Sequence, residues 1–349
     1  MPQKKIIINA NSFNSGIGRY AIFLQEALSP YSTVLNLKMD KNIFYETGVT
    51  IEGIFPPISS GWTINTTFYD AIFNKRIKKI TTNSIIHYST ILGKPLEDSL
   101  ATVHDLFFLK YDDNYPSHFK KWLTKNVKYY KKLKNIIAVS DYIKKQLINS
   151  GFEGKITRIY PPVSRNIFHI VEKENLRKAL NLPLNKTLIL TIASNEKRKN
   201  LKIVENVSKN TEYCFVNVGP SNVGNINFRN INEKQLNSLY NACDVFLSPS
   251  LDEGFGFPVV EAMSAGLPVV ASDIEIYRET TGGNAILVDV SDGNMVTTGI
   301  KEALSNRDSL SKNGQLFAGK YSFNIFRDNL IKFYEENFPV ENNQILNLD

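Results

Sequence analysis

Short apolar runs alternate with amphipathic stretches along most of the chain. Lys4 to Asn9 carries three consecutive isoleucines and reads as a buried strand. After a polar loop, the segment from Gly18 to Leu28 places Ile22, Phe23 and Leu24 between helical flanks. Further apolar runs at Ser84 to Tyr88, Leu100 to His104 and Asn135 to Val139 predict strands. The last runs into a helix that starts near Ser140 and stops before Gly151. Strands alternating with helices predict a parallel sheet covered by helices, because parallel strands need long crossovers. Asp40 to Thr67, rich in Gly, Pro, Ser and Thr, reads instead as a loop-bearing insertion.

Tyr160 to Phe168 breaks the alternation with a double proline and then restarts it, as an interdomain linker does. The second series predicts strands at Thr187 to Ala193, Tyr213 to Val218, Val245 to Leu247, Val269 to Ala271 and Ala285 to Val288. Its helices are Glu233 to Ala242, with Leu236, Leu239, Tyr240 and Cys243 on one stripe, and Pro258 to Ala265. A last helix runs from about residue 324 to 338, and the tail from Pro339 is polar. The expected organisation is therefore two α/β domains, 1–165 and 166–323. A chain of 349 residues exceeds what one hydrophobic core usually supports, which agrees with two.

Composition narrows the class. With 42% hydrophobic and 21% charged residues the chain is an ordinary globular protein. No apolar run approaches the roughly 18 residues of a spanning helix, and the polar start leads straight into a strand rather than a secretory leader. Cys214 and Cys243 lie in apolar runs, away from any metal-ligand spacing, and read as reduced core residues of a cytoplasmic protein. The net charge of +7 fits a nucleic acid, an anionic membrane surface or a phosphorylated substrate, and its sign alone does not choose among them.

Candidate chemistry concentrates between Leu247 and Gly266, which reads as strand, glycine turn and helix with Pro258 at the first helical position. The helix amino end offers backbone donors and a positive dipole to an anion such as a diphosphate. Gly254 and Gly256 leave room for close approach. Glu253 stands at the strand end and Glu261 one turn into the helix, so both carboxylates can border one pocket and accept from sugar hydroxyls.

This segment resembles the Glu-x7-Glu motif of retaining glycosyltransferases of the GT-B fold, glycosyltransferase group 1, also called family 4. The likeness extends from about Leu236 to Asp273, through Leu239-Tyr240, the run at 242 to 246 and the run at 266 to 273. It implies an α/β fold of two Rossmann-like domains facing across a cleft, with the last helix packing back on the first domain. It also implies that Glu253 lies by the donor sugar and Glu261 by the nucleotide ribose, with Phe255, Phe257, Pro258 and Val259 in the donor-binding turn. Base recognition falls to the loop Phe228 to Asn232, hence to Arg229 and Asn230.

Thr191 to Leu201 follows the first strand of the second domain, and its cations sit where ligands bind in open α/β sheets. Arg198 and Lys199 can neutralise a leaving diphosphate there. The family carries a similar Arg-Lys-Asn segment, whose lysine contacts the diphosphate. Many members also have an arginine soon after the strand, where this chain has Ala193-Ser194-Asn195, so Ser194 takes that place. In the first domain Asn11 to Tyr20 is a polar Gly-x-Gly loop, weak by itself as a signal. The resemblance puts Gly16, Ile17 and Gly18 near the phosphates and acceptor. His104, followed by Asp105, matches a family histidine near the transferred sugar, whereas His87 reads as a structural residue.

Asp112-Asp113 reads as a solvated loop rather than a metal site, and no metal is expected because helix dipoles and cations offset leaving-group charge in this family. Ser117 to Lys134 is a basic helix whose Trp122, Val127, Tyr130 and Leu133 share one face. It reads first as a surface helix covering the sheet and alternatively as a contact for anionic lipid at the membrane inner face. No recognised nucleic-acid motif is present. The expected activity is transfer of a sugar from a nucleoside diphosphate sugar to a glycan or lipid-linked hydroxyl. His104, Glu253, Lys199 and Arg198 would be the catalytic residues, with no tightly bound cofactor. A sugar-nucleotide epimerase of the same fold and a non-catalytic nucleotide-sugar-binding subunit are the alternatives.

Overall fold

The computed structural model describes residues 5–10, 16–29, 32–36, 51–53, 84–91, 93–111, 117–164, 167–171 and 173–339. The chain divides into two compact units, Met1–Pro162 with Phe323–Asp349, and Val163–Ser322.

The first unit contains β1 (Lys5–Ala10), α1 (Gly16–Ala27), β2 (Ser32–Asn36), β3 (Ile51–Gly53), β4 (Ser84–Tyr88) and β5 (Leu100–Val103). It continues with α2 (Phe107–Lys110), α3 (Ser117–Tyr130), β6 (Asn135–Ala138), α4 (Asp141–Asn149) and β7 (Lys155–Arg158). The strands form one parallel sheet in the order β3-β2-β1-β4-β5-β6-β7. Ile51–Gly53, inside the stretch read as a loop insertion, is thus an edge strand in register with Val34 to Asn36; the remainder of that stretch lies outside the described residues. Ser140 caps α4 by accepting from the Ile143 N–H at 3.1 Å, which fixes where the helix starts.

The second unit contains α5 (Lys173–Ala179), β8 (Leu188–Ile192), α6 (Leu201–Lys209), β9 (Cys214–Val218), β10 (Ile226–Phe228), α7 (Glu233–Ala242) and β11 (Val245–Ser248). Then follow α8 (Phe257–Ser264), β12 (Val269–Ser272), α9 (Glu275–Thr281), β13 (Ile286–Val288), α10 (Gly293–Ser305) and α11 (Arg307–Ala318). Its parallel sheet runs β10-β9-β8-β11-β12-β13, again the Rossmann order. Asn232 and Gln235 close a capping box at the start of α7, so the helix begins at Glu233. Isoleucine, valine and phenylalanine side chains of β8, β9, β11 and β12 meet α6 and α10 in one core.

The last helix, α12 (Phe323–Asn337), belongs to the first unit. Phe326, Leu330, Phe333 and Tyr334 recur at helical spacing and pack with Tyr20, Ala21 and Leu24 of α1 and with Ile6, Ile85 and Leu100 of the sheet. Burying each such apolar side chain contributes about 1.5–3 kcal/mol, enough to hold a helix that arrives after the whole second unit.

Candidate active site

Strand order decides which loops meet. In the second unit β8 and β11 are neighbours while their crossovers leave to opposite sides, and such a switch point opens a crevice at the carboxyl ends of the strands. The segment after β8 carries Ser194, Arg198 and Lys199, and the segment after β11 carries Glu253. A backbone bond from the Leu251 N–H to the Arg198 carbonyl, 2.7 Å, ties the two together.

The charged groups then form one cluster. Lys199 Nζ lies 2.5 Å from Glu253 Oε1, and an Arg198 terminal nitrogen lies 3.1 Å from Glu253 Oε2 and from the Asp252 carbonyl. The other edge of the Arg198 guanidinium holds Glu196 at 2.8 and 3.2 Å, and the Ser194 hydroxyl donates to Glu196 Oε1 at 2.6 Å. Burial alone would raise the Glu253 carboxyl, but Lys199 and Arg198 outweigh it and hold the group below its ordinary value. Glu196 is likewise lowered: burial raises it, and Ser194 and Arg198 overcome that. Glu253 is therefore an ionised carboxylate fixed between two cations. Glu196 and Asp252 were missed in the sequence; the only local signal was a Ser-x-Glu spacing at the strand end.

Helix α8 corrects one expectation. It begins at Phe257, so Pro258 occupies the second helical position rather than the first. Gly256 is its cap in the left-handed region at φ +82°, and a Cβ there would stand 2.7 Å from Tyr277 Cε1, so this glycine is required by its own backbone as well as by space. Gly254 has no such positive φ. Phe255 and Val259 are core residues: the Phe255 ring packs edge-on against Tyr321 at 5.2 Å and Phe257 at 5.1 Å, and Val259 is fully buried. Their side chains lie in the interior, so any part they take in the turn falls to the backbone.

Glu261 is 2% exposed and accepts from the Tyr240 hydroxyl at 3.0 Å, with the Pro258 carbonyl 3.3 Å from the same hydroxyl. It thus sits behind the turn, while Glu253 sits in the charged cluster. Arg229 lies outside this cluster, its guanidinium donating to Asn222 at 2.8 Å, and Asn230 beside it takes a left-handed φ of 52°. A cavity of about 930 Å³ in the same unit is lined by Asn200, Leu251, Asp273, Val290 and Met295, among others, and holds none of the predicted site residues.

In the first unit Gly16, Ile17 and Gly18 form the start of α1, while Asn11 to Ser15 and the Asp112-Asp113 pair lie outside the described residues. His104 follows β5. Its Nε2 lies 2.9 Å from the Ser89 carbonyl, an acceptor, so this nitrogen carries the proton and Nδ1 keeps its lone pair. Burial lowers His104 to about 4, against a smaller opposing effect of the Ser89 bond, and the ring is neutral near pH 7. On α3, Trp122, Val127 and Tyr130, with Leu133 just beyond, are buried, and Lys121, Lys125 and Lys128 face solvent. No helix among the described residues is long and apolar enough to cross a membrane, and no group of three metal-ligating side chains occurs among them.

Residues 222–316, which include the turn at Glu253, match the family described as glycosyl transferases group 1. The chain carries a glycosyltransferase group 1 domain. It is similar to the O-antigen chain mannosyltransferase RfbU of Salmonella typhimurium, 28% identical over 240 residues that span 65% of this chain and 67% of RfbU. In fold the glycosyltransferase resembles sucrose-phosphate synthase of Thermosynechococcus elongatus, with a TM-score of 0.78 at 18% identity over 96% of this chain and 99% of that one. Alr3699/HepE of Anabaena, solved with UDP and glucose, superimposes with a TM-score of 0.78 at 15% identity over 96% of this chain and all of the other (100%). The fold is GT-B, and the protein is a transferase enzyme.

Proposed function

We propose that this enzyme moves a hexose from a nucleoside diphosphate sugar to a hydroxyl of a surface glycan or lipid-linked saccharide, retaining the anomeric configuration. The observation that carries the reading is Glu253 held ionised by Lys199 and Arg198 at the switch point, next to the amino end of α8. As the bond from sugar carbon to diphosphate breaks, negative charge grows on the leaving group. Lys199, Arg198 and the α8 dipole are placed to take it up, without a metal or bound cofactor. Glu253 then serves the donor sugar, Glu261 the ribose, and His104 offers its Nδ1 acceptor to a hydroxyl of the donor sugar or acceptor. Gly16 to Gly18, Ser194, Arg229, Asn230 and the 254–259 backbone complete the donor contacts in this reading.

The glycan acceptor is favoured because a relative of this chain is named an O-antigen mannosyltransferase. The solvent-facing lysines of α3 suit an acceptor presented at an anionic membrane surface, from the cytoplasmic side. The test is a thermal-shift panel with GDP-mannose, UDP-glucose and UDP-N-acetylglucosamine, followed by product analysis with lipid-linked saccharide acceptors and NMR of the new anomeric centre. One donor should raise the melting temperature and be consumed with retention. If no donor shifts melting and none is hydrolysed or transferred, the proposal is wrong.

A further inference from the structure

Behind His104 lies a buried polar chain that the proposed chemistry does not use. The Tyr334 hydroxyl on α12 is 2.9 Å from His87 Nδ1, and His87 Nε2 is 2.7 Å from Thr102 Oγ1. Thr102 Oγ1 is in turn 3.0 Å from the Tyr20 hydroxyl, and the Tyr20 ring packs edge-on against the His104 imidazole at 4.8 Å. Tyr20, His87 and Thr102 are fully buried and Tyr334 nearly so. Desolvating four polar side chains is costly, and apolar residues could fill the same volume without that cost. What they could not supply is direction. Each hydrogen bond fixes an angle as well as a distance, and a neutral imidazole in mid-chain has one donor and one acceptor nitrogen, so the protons run one way along the series.

The chain reaches His104 from two sides. Thr102 lies in β5 and His104 just past its end, two residues on, and His87 and Ser89 stand in the same relation to β4. Ser89 holds His104 Nε2 while Tyr20, itself braced by Phe326 of α12 at 5.7 Å, holds the ring plane. We infer that Tyr334, His87, Thr102 and Tyr20 are positioning residues that set the orientation of the His104 imidazole and so aim its Nδ1 at a sugar hydroxyl. This rests on the role proposed for His104 above. Orientation is worth this outlay because site groups must be held within about 10–20° of productive geometry, and a misplacement of about 1 Å can cost a hundredfold in rate.

The test uses the full chain, with GDP-mannose and UDP-glucose as probes. Thr102→Val, which keeps the shape and removes the hydroxyl, should lower kcat about tenfold or more while the donor KM stays within about twofold, and Thr102→Ser should restore turnover. Tyr334→Phe should act in the same direction and serves if Thr102→Val does not fold. In histidine-15N-labelled protein, both variants should convert the single Nε2–H tautomer signal of His104 into a mixture, a readout that needs no turnover. Unchanged kcat with an unchanged His104 signal overturns the inference, as does a loss of melting temperature without any change at His104. His104→Ala separates the two proposals. If it turns over normally, the role of His104 fails; if it is inactive while Thr102→Val is normal in rate and spectrum, only the positioning chain fails.

Discussion

Lys199 and Glu253, 54 residues apart, meet at 2.5 Å with side chains only 13% and 11% exposed. A buried ion pair gains little net stability, but removal of one partner leaves the other poorly compensated. Because Arg198 remains beside Glu253, Lys199→Ala should cost about 1–3 kcal/mol in urea unfolding, together with a fall in kcat. The double variant Lys199→Met with Glu253→Gln should be more stable than the sum of the singles. Strict additivity in that cycle would show that the pair does not couple.

Glu261 accepts from Tyr240, so the two residues can be pulled apart experimentally. Glu261→Ala should weaken nucleoside diphosphate binding about tenfold to a hundredfold in calorimetry, the worth of one charged hydrogen bond. Tyr240→Phe, which leaves the carboxylate in place, should bind within a few-fold of the parent. Equal affinity in Glu261→Ala would remove Glu261 from the ribose site.

Gly256 has both a left-handed φ and Tyr277 at the place a Cβ would take. Gly256→Ala should lower stability by about 1–3 kcal/mol and turnover with it, because the turn must shift before α8 can start. Gly283→Ala is the control: it shares a positive φ, 81°, but has nothing within 4 Å. It should cost only the backbone term and leave turnover intact. A Gly256 variant no worse than the control would mean that the Tyr277 contact is unimportant.

A buried imidazole, His87, and a half-buried one, His104, make stability depend on pH. Burial lowers His87 from 6.5 to about 3, helped by the nearby His104, and His104 to about 4. As pH falls the unfolded chain takes up these protons first, so the contribution is complete above about 6.5 and is lost as pH falls toward the folded values. From pH 6.5 to 4.5 the histidines act by themselves; below 4.5 the lowered carboxyls of Glu253 and Glu196 add losses of the same sign. Urea melts across this range should show stability falling with acid, with a shallower slope in His87→Gln. A flat profile from 6.5 to 4.5 would contradict two imidazoles held neutral by the fold.

Some of this was legible from local pattern alone. Ser84–Tyr88 and Glu233–Ala242 match their predicted bounds because a continuous apolar run and a capped amphipathic stripe are properties of neighbouring residues. The edge strands Lys155–Arg158 and Ile226–Phe228 were missed since neither is buried enough to carry a pattern. Pro258 was placed one position early because an N-terminal proline suits the first turn generally.

The alternation of runs and stripes by itself determined an α/β protein with parallel strands, and the spacing of Glu253 and Glu261 around a glycine turn marked the chemistry. Tertiary structure alone decided which groups share that chemistry. The order β8 next to β11 brings Lys199 and Arg198 to Glu253, and Tyr240 from a different helix turns Glu261 inward. His87 finds Tyr334 across 247 residues. The physical reason is that periodicity records which face of an element is buried, whereas the partner of a buried polar atom is set by sheet order and helix packing over distances that no local pattern encodes.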